Sequence, residues 1–496
     1  MKNNRKLYII FIILLVIFSI SVVSKSVQND TFFTIPIAKD MIERGGLDGI
    51  DHLTQHEGLA FTHSGWIFDL IIYYTYQAFD FGGIYILTIF ITMLISILLF
   101  NLMLKENNNI IISFISVMLM IFSASGVFAA RGQLFSFLIF LIELHAIHGL
   151  VNTRKKKYIF ILLILPIILA NTHDTVWPFY FVMFLPYIAE FIISKIKFLK
   201  NEENYKIIVE ENKNIKIMFF IIVISMFTGL ITPVFGTAYI NLFKVMSGVS
   251  KSFIQELQVT NMLSQISFLL IIFIMVGIIG FTKTKIKLKD LLFVFGFVLF
   301  SLMAARNVYF LYLLGSTFVV NILTAFINTY YKEEDIDKKV KEFEKNNFVI
   351  ILIGLIVVLF ALVGITDNMN NEYVDKTKYP VEAVEWMKKN VDIENMTIYN
   401  SFDYGSYLEL HGIKVFVDSR SGIYCEEFSD GTTIMLDYLN VEDGVINYKN
   451  VFEQYGITHV LILNDSLINQ YICYDTEYEC IYQDDIFVLY EKNVDI

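Results

Sequence analysis

Asp30 stands in Gln28-Asn29-Asp30-Thr31-Phe32-Phe33, a few residues beyond the first long apolar run. A carboxylate at such a place can take a proton from a hydroxyl or hold a divalent cation. Asp51 and His63 follow in the same polar-aromatic stretch, and either could orient that acid or share a metal with it. His173 and Asp174 sit side by side after a later apolar run, while Arg131 and Arg306 each close one. The planar guanidinium fork suits phosphate oxygens. Each residue also has a plainer role. Asp30 can be a surface acid at a helix exit, the arginines can anchor to headgroups, and His173 with Asp174 can fix a loop.

The elements that must position these groups are membrane spans. The chain has 496 residues, of which 56% are hydrophobic and 18% charged, with mean hydropathy +0.59. A soluble domain carries roughly 25% charged residues. The apolar runs reach the length a bilayer requires, about 17–25 residues. They are continuous and not alternating, so they read as helices. About eleven are expected, near 8–24, 84–104, 109–129, 133–150, 157–171, 176–194, 215–235, 267–281, 291–305, 308–330 and 347–366. The first follows Lys2, Arg5 and Lys6 and lacks a cleavage pattern, so it is expected to be a retained anchor. Trp66 to Phe79 is short and interrupted by Asp69, and either spans or lies in the interface.

Lysine and arginine accumulate on the cytoplasmic side of short loops. Arg154 to Lys157, Lys195, Lys197 and Lys200, Lys283 to Lys289, and the 332–341 lysines then fall inside. The charged 332–345 segment reads as an amphipathic cytoplasmic helix. The N-terminus is inside, and with an odd number of spans the tail is outside. The domains expected are 1–366, a membrane part whose outer loop 25–82 carries surface helices, and 367–496, an extracytoplasmic α/β domain.

That tail holds 25 Asp and Glu against 8 Lys and Arg, a balance of −17 in a chain of −11. The acidity is a solvated surface and argues against a nucleic-acid partner. Strands are expected at 397–400, 414–418, 458–463 and 486–490, with helices at 381–389, 445–455 and 466–471, and so a mostly parallel sheet. No Gly-rich phosphate loop follows a strand. Cys425, Cys473 and Cys480 all lie in the tail; a 473–480 disulfide and free thiols both remain open.

Several blocks carry a resemblance. Asp30 to Ile35 with Ile42 to Gly45 resembles the D-x-x-x-x-I-x-x-G/A…I-x-x-x-G opening of bacterial GT-C-type membrane glycosyltransferases. Asp51-His52-Leu53-Thr54 resembles their D-P-F-S, and His63-Ser64-Gly65-Trp66 their H-E-W with one residue inserted. Arg131-Gly132-Gln133-Leu134-Phe135-Ser136 is similar to R-P-Q-L-F-S, and Ala170 to Asp174 to W-A-N-x-H-G. In the tail, Asn400 to Leu408 resembles N-x-x-x-W-G-G-Y-L. Val415 to Arg420 resembles V-F-I-D-G-R, with Tyr424 at the usual distance. The blocks run in family order. His63 lacks its usual neighbouring acid, and Asp174, Ser406 and Ser419 replace glycines.

The resemblance implies a GT-C-like helical membrane fold. It implies transfer of a sugar from a polyprenyl-phosphate-linked donor to an extracytoplasmic acceptor, which is a glycan, glycolipid or protein. Asp30 is then the catalytic carboxylate, and Asp51, His63, His173 and Asp174 support it or a metal. Arg131 and Arg306 bind donor phosphate. Asp418, Arg420 and Tyr424 bind acceptor or dock the tail. One strong acid implies inversion. No cofactor is certain, and a divalent Mg or Mn ion stays open. The alternatives are a transporter or flippase of lipid-linked glycans and a non-catalytic cell-envelope scaffold. Transporters place charges at the midplane, whereas here, Glu143 apart, the polar groups gather at one face.

Overall fold

The computed structural model describes residues 5–61, 65–195, 206–247, 254–331, 339, 342–343 and 346–493. His63, Lys197, Lys200 and most of the 332–345 segment lie outside them. The chain divides into two compact units. One comprises Met1–Ser24, Tyr85–Ile231 and Ser252–Asn370; the other comprises Lys25–Ile84, Thr232–Lys251 and Asn371–Ile496.

The first unit is helical. Among the described residues of the chain, five helices are long and apolar enough to cross a membrane: Trp66–Asn107, Gly132–Thr153, Asp174–Ser194, Ala305–Tyr330 and Phe348–Asn370. Ile110–Ser123, Ile215–Leu230 and Ile266–Phe281 are shorter apolar helices. The protein is a multi-pass membrane protein, because in lipid each of these runs must satisfy its own backbone. Small residues let the helices approach closely. The Arg5–Ser21 helix packs on Asn347–Asn370, where a Cβ on Gly364 would stand 2.6 Å from the Ser21 carbonyl oxygen. Phe11 stacks on Phe114 at 3.9 Å between ring centroids. Gly132–Thr153 turns back into Lys156–Thr172, and Gly149 leaves room for the Tyr158 ring. Ile351, Leu355 and Leu359 stay exposed on the last span, as lipid contact requires. Two residues each of β1 (Ile207–Ile208) and β2 (Ile286–Lys287) pair in parallel.

The second unit is built on a four-stranded sheet of β3 (Ile398–Asn400), β4 (His459–Leu463), β5 (Tyr478–Gln483) and β6 (Phe487–Lys492), in the order β3-β4-β6-β5. Only β3 and β4 run parallel; β4–β6 and β6–β5 are antiparallel. The expectation of a mostly parallel sheet is therefore corrected. Three residues join β5 to β6, and so short a link permits only a hairpin. The expected strand at 414–418 is also corrected: Val415 makes a single isolated bridge, to Thr54. Three further backbone groups there, Phe416 N, Phe416 O and Val417 O, bond side chains. Asn400 Oδ1 accepts from Phe416 N (2.8 Å), and Asn400 Nδ2 donates to Val417 O (2.7 Å). All three cysteines are free.

Asn29–Arg44 is a helix of this unit and packs against the Gly405–Leu410 helix. Phe32 is fully buried, edge-on to Tyr379, Tyr407 and Phe81 at 4.9, 5.3 and 5.8 Å. Gly45 ends the helix at φ 77°, a left-handed conformation that glycine adopts without cost. The Trp66–Asn107 helix breaks at Asp80 (φ 54°, ψ −160°), which sets Trp66 to Phe79 apart as a segment of its own.

Candidate functional site

Arg131 and Arg306 line one cavity of about 600 Å³ in the helical unit. Arg131 is the N-cap of the Gly132–Thr153 helix, held in extended backbone (φ −122°, ψ 154°). Its N–H bonds Ala129 O at 2.8 Å, so a tight turn precedes the helix. The helix start also lines the cavity through Gln133, and its amide end favours anions. Arg306 sits in the Ala305–Asn307 turn that separates two helices; Asn307 Nδ2 ties that turn to Phe300 O at 3.1 Å. A π-helical turn, Leu311–Gly315, follows, and such turns are frequent near functional sites.

Glu256, from the single turn Gln255–Leu257, lines the same cavity. Its Oε1 and Oε2 accept from Arg131 Nη1 at 3.3 and 3.5 Å. Sequence reading missed it. The available signal was an acid flanked by glutamines between two apolar runs.

His173 caps the C-terminus of the Lys156–Thr172 helix, and its Nδ1 lies 2.8 Å from Ser136 Oγ. Gly132 makes this possible: a Cβ there would meet Thr172 O at 3.2 Å. The Arg-Gly-Gln-Leu-Phe-Ser and Asn-Thr-His-Asp blocks thus meet through Ser136 and His173. Asp174 is buried beside them, in the next turn.

In the sheet-bearing unit, one buried guanidinium gathers three carboxyl groups. Arg420 bonds Asp51 through Nη1, Glu409 Oε1 through Nη2 (2.5 Å) and Asp418 through Nε and Nη2. Tyr424 donates to Asp418 Oδ2 at 2.6 Å. Asp51 Oδ2 accepts from Thr54 N at 3.0 Å, and Phe61 lies over the guanidinium at 5.4 Å. The four ion-pairing side chains are at most 5% exposed. Burial pushes the Glu409 carboxyl well above the usual range, against the opposing pull of the Arg420 charge. Burial also works against the Asp418 charge, but Arg420 and Tyr424 outweigh it and hold that carboxyl below its usual value. Glu409 too was missed from sequence; an acid inside the apolar run Ser406-Tyr407-Leu408-Glu409-Leu410 signals a paired, buried charge.

Asp30 is half-buried in the first turn of Asn29–Arg44, beside Asn29, whose Nδ2 donates to Phe402 O at 3.0 Å. Among the described residues, no group of three or more His, Cys, Asp or Glu could hold a metal ion. His63 lies outside those residues.

The fold is that of the GT-C membrane glycosyltransferases. Among the solved structures it resembles are those of two proteins. One is the oligosaccharyltransferase AglB of Archaeoglobus fulgidus (TM-score 0.57, 10% identity, 93% of this chain and 69% of that one), determined with an acceptor peptide and also with an inhibitory peptide and a dolichol-phosphate. The other is ArnT of Cupriavidus metallidurans bound to undecaprenyl phosphate (TM-score 0.55, 9% identity, 99% of this chain and 98% of that one). No protein-family model matches the sequence, and no curated protein does.

Proposed function

We propose that this protein is a membrane glycosyltransferase that moves a sugar from a polyprenyl-phosphate-linked donor to an extracytoplasmic glycan, glycolipid or protein. The observation that carries the reading is the pair of arginines lining one cavity. It stands in a chain whose structural neighbours were captured with polyprenyl-type phosphates. Arg131 and Arg306 hold the donor phosphate through charge-assisted hydrogen bonds. The acceptor hydroxyl oxygen attacks the anomeric carbon and loses its proton to a carboxylate, for which the motif resemblance alone names Asp30, and the bond from that carbon to the phosphate oxygen breaks. The electron pair leaves with the lipid phosphate, where the arginines stabilise the charge. A single displacement of this kind inverts the anomeric centre. His173 and Asp174 order the helix start that carries Arg131.

Asp418, Arg420 and Tyr424 together with Asp51 act as the internal tie of their unit, since their polar atoms are turned on one another. About eleven spans, an inner N-terminus and an outer 367–496 domain complete the reading, on the lysine and arginine asymmetry. The experiment is incubation of purified protein with polyprenyl-phosphate sugars and an acceptor extract, followed by mass spectrometry. Consumption of one lipid-linked sugar with appearance of free lipid phosphate is the expected outcome. No consumption of any donor removes the reading.

A further inference from the structure

A second cavity of the helical unit, of about 540 Å³, lies at the opposite end of the helices from the arginines. Arg131 opens the Gly132–Thr153 helix, whereas His148 and Asn152 sit in its last turns and line this second cavity. That helix has 22 residues. Such a length is about 33 Å, enough to cross a bilayer. The two cavities therefore open toward opposite surfaces of the membrane.

The carboxylates of the second cavity are engaged within the protein. Glu106 Oε1 lies 2.6 Å from His148 Nδ1, and Glu106 Oε2 accepts from Lys289 Nζ at 3.0 Å. Both members of the Glu106–Lys289 pair are nearly buried. Glu210 pairs with Lys287 at 2.8 Å, Glu211 pairs with Lys195, and Glu190 Oε1 accepts from Glu210 N at 3.1 Å. Two lysines of the lining stand outside these pairs. Lys105 and Lys213 are exposed, and neither meets a carboxylate among the described residues. Both are brought to the end of the Gly132–Thr153 helix. Lys105 Nζ stands 3.5 Å from His145 Nδ1 of that helix, whose Nε2 bonds Leu98 O at 2.8 Å. Lys213 sits in a turn strapped to the same helix end, where Asn214 Nδ2 donates to Leu150 O at 2.9 Å.

We infer that this cavity binds the phosphate of an anionic phospholipid headgroup through Lys105 and Lys213. Basic pockets between spanning helices take such headgroups, because ammonium groups at the membrane surface attract the lipid phosphate. The neighbouring helices offer a path for the acyl chains. Deeper along the helix that carries Glu190, Leu185 is exposed, and deeper along the helix that follows Lys213, Phe219 is exposed. The lipid leaves the sugar-transfer chemistry untouched, and its site does not depend on where the donor binds.

The test is titration of the full-length protein in detergent micelles with phosphatidylglycerol, phosphatidylcholine and inorganic phosphate. Native mass spectrometry reads the bound lipid, and the unfolding temperature reads all three ligands. Phosphatidylglycerol is expected to bind more tightly than phosphatidylcholine and to raise the unfolding temperature more than inorganic phosphate does. The double variant Lys105→Gln with Lys213→Gln is expected to lose about tenfold or more in phosphatidylglycerol affinity. Lys105→Arg with Lys213→Arg, which keeps both charges, is expected to retain it. Lys156→Gln removes an exposed lysine at the same end of the helices that does not line the cavity, and is expected to leave the affinity unchanged. An affinity unmoved in the double glutamine variant overturns the inference, as does an equal loss in Lys156→Gln. Equal binding of the two lipids, or equal protection by inorganic phosphate, also overturns it.

Discussion

At Asp30 an exchange to Asn keeps the shape of the side chain and removes its charge, so the Asn29–Arg44 helix and its packing through Phe32 should persist. Loss of a general base typically costs about 10²–10⁴-fold in rate. Sugar transfer by folded Asp30→Asn protein is expected to fall by that amount, measured beside Asp51→Asn and Asp174→Asn. Near-normal turnover in Asp30→Asn with inactive Asp174→Asn would move the base to Asp174. Glu409 supports a prediction in pH. Its carboxyl is raised by burial, so the folded state keeps a proton that the unfolded state releases above about 4.5. Stability from this group is complete below that value and falls as pH rises toward the folded pKa. Asp418, held low, contributes the opposite slope, and only in acid. Glu409→Gln mimics the protonated form. Its unfolding temperature is expected to fall less than that of the wild type as pH rises above about 4.5, and an equal fall in both would place the proton elsewhere.

Among the elements, the segment 415–418 departs most from its pattern. Val415-Phe416-Val417 has the composition of a strand, yet Gln55, His56 and Asn400 satisfy its backbone: Gln55 N bonds Val415 O at 3.1 Å, and His56 Nε2 bonds Phe416 O at 2.8 Å. β-branched periodicity reports burial, not which groups pair with the backbone. β5 escaped notice for the opposite reason. It is a partly exposed edge strand carrying Glu479 and Gln483, and its apolar face is thin. Gly405 is the point of closest backbone approach in this region, because a Cβ there would lie 2.0 Å from Val417 O. Ser406 Oγ meets Ser419 Oγ at 2.9 Å, so the two serines that stand where the related pattern has glycines bond each other. Gly405→Ala is expected to destabilise the unit by about 1–3 kcal/mol through forced backbone displacement, read as a lower unfolding temperature. An unchanged unfolding temperature would count against the close approach.

For the molecule as a whole, orientation is the open quantity that labelling can settle. The lysine and arginine asymmetry predicts that a cysteine introduced at Lys449 is labelled by an impermeant reagent on intact cells, while one at Lys156 is protected. The reverse pattern would invert the orientation and take the proposed donor site away from the outer face. Native Cys473 and Cys480 are exposed, so they must first be replaced by serine.

Much of this architecture was legible along the chain. Hydropathy and run length are local properties, so membrane class and most apolar helices could be read before any coordinates. The ordered motif blocks pointed to the GT-C fold because each block preserves residue types at fixed spacing. Pairing across long separations was not legible. Arg420 and Asp51 lie 369 positions apart, and Arg131 and Glu256 lie 125 apart. Nothing in their local sequence states that they meet. The raised Glu409 carboxyl, the side-chain support of 415–418 and the shared cavity of Arg131, Arg306 and Glu256 all depend on distance through space. Coulomb and desolvation energies are set by that distance and by burial, and only the tertiary structure supplies both.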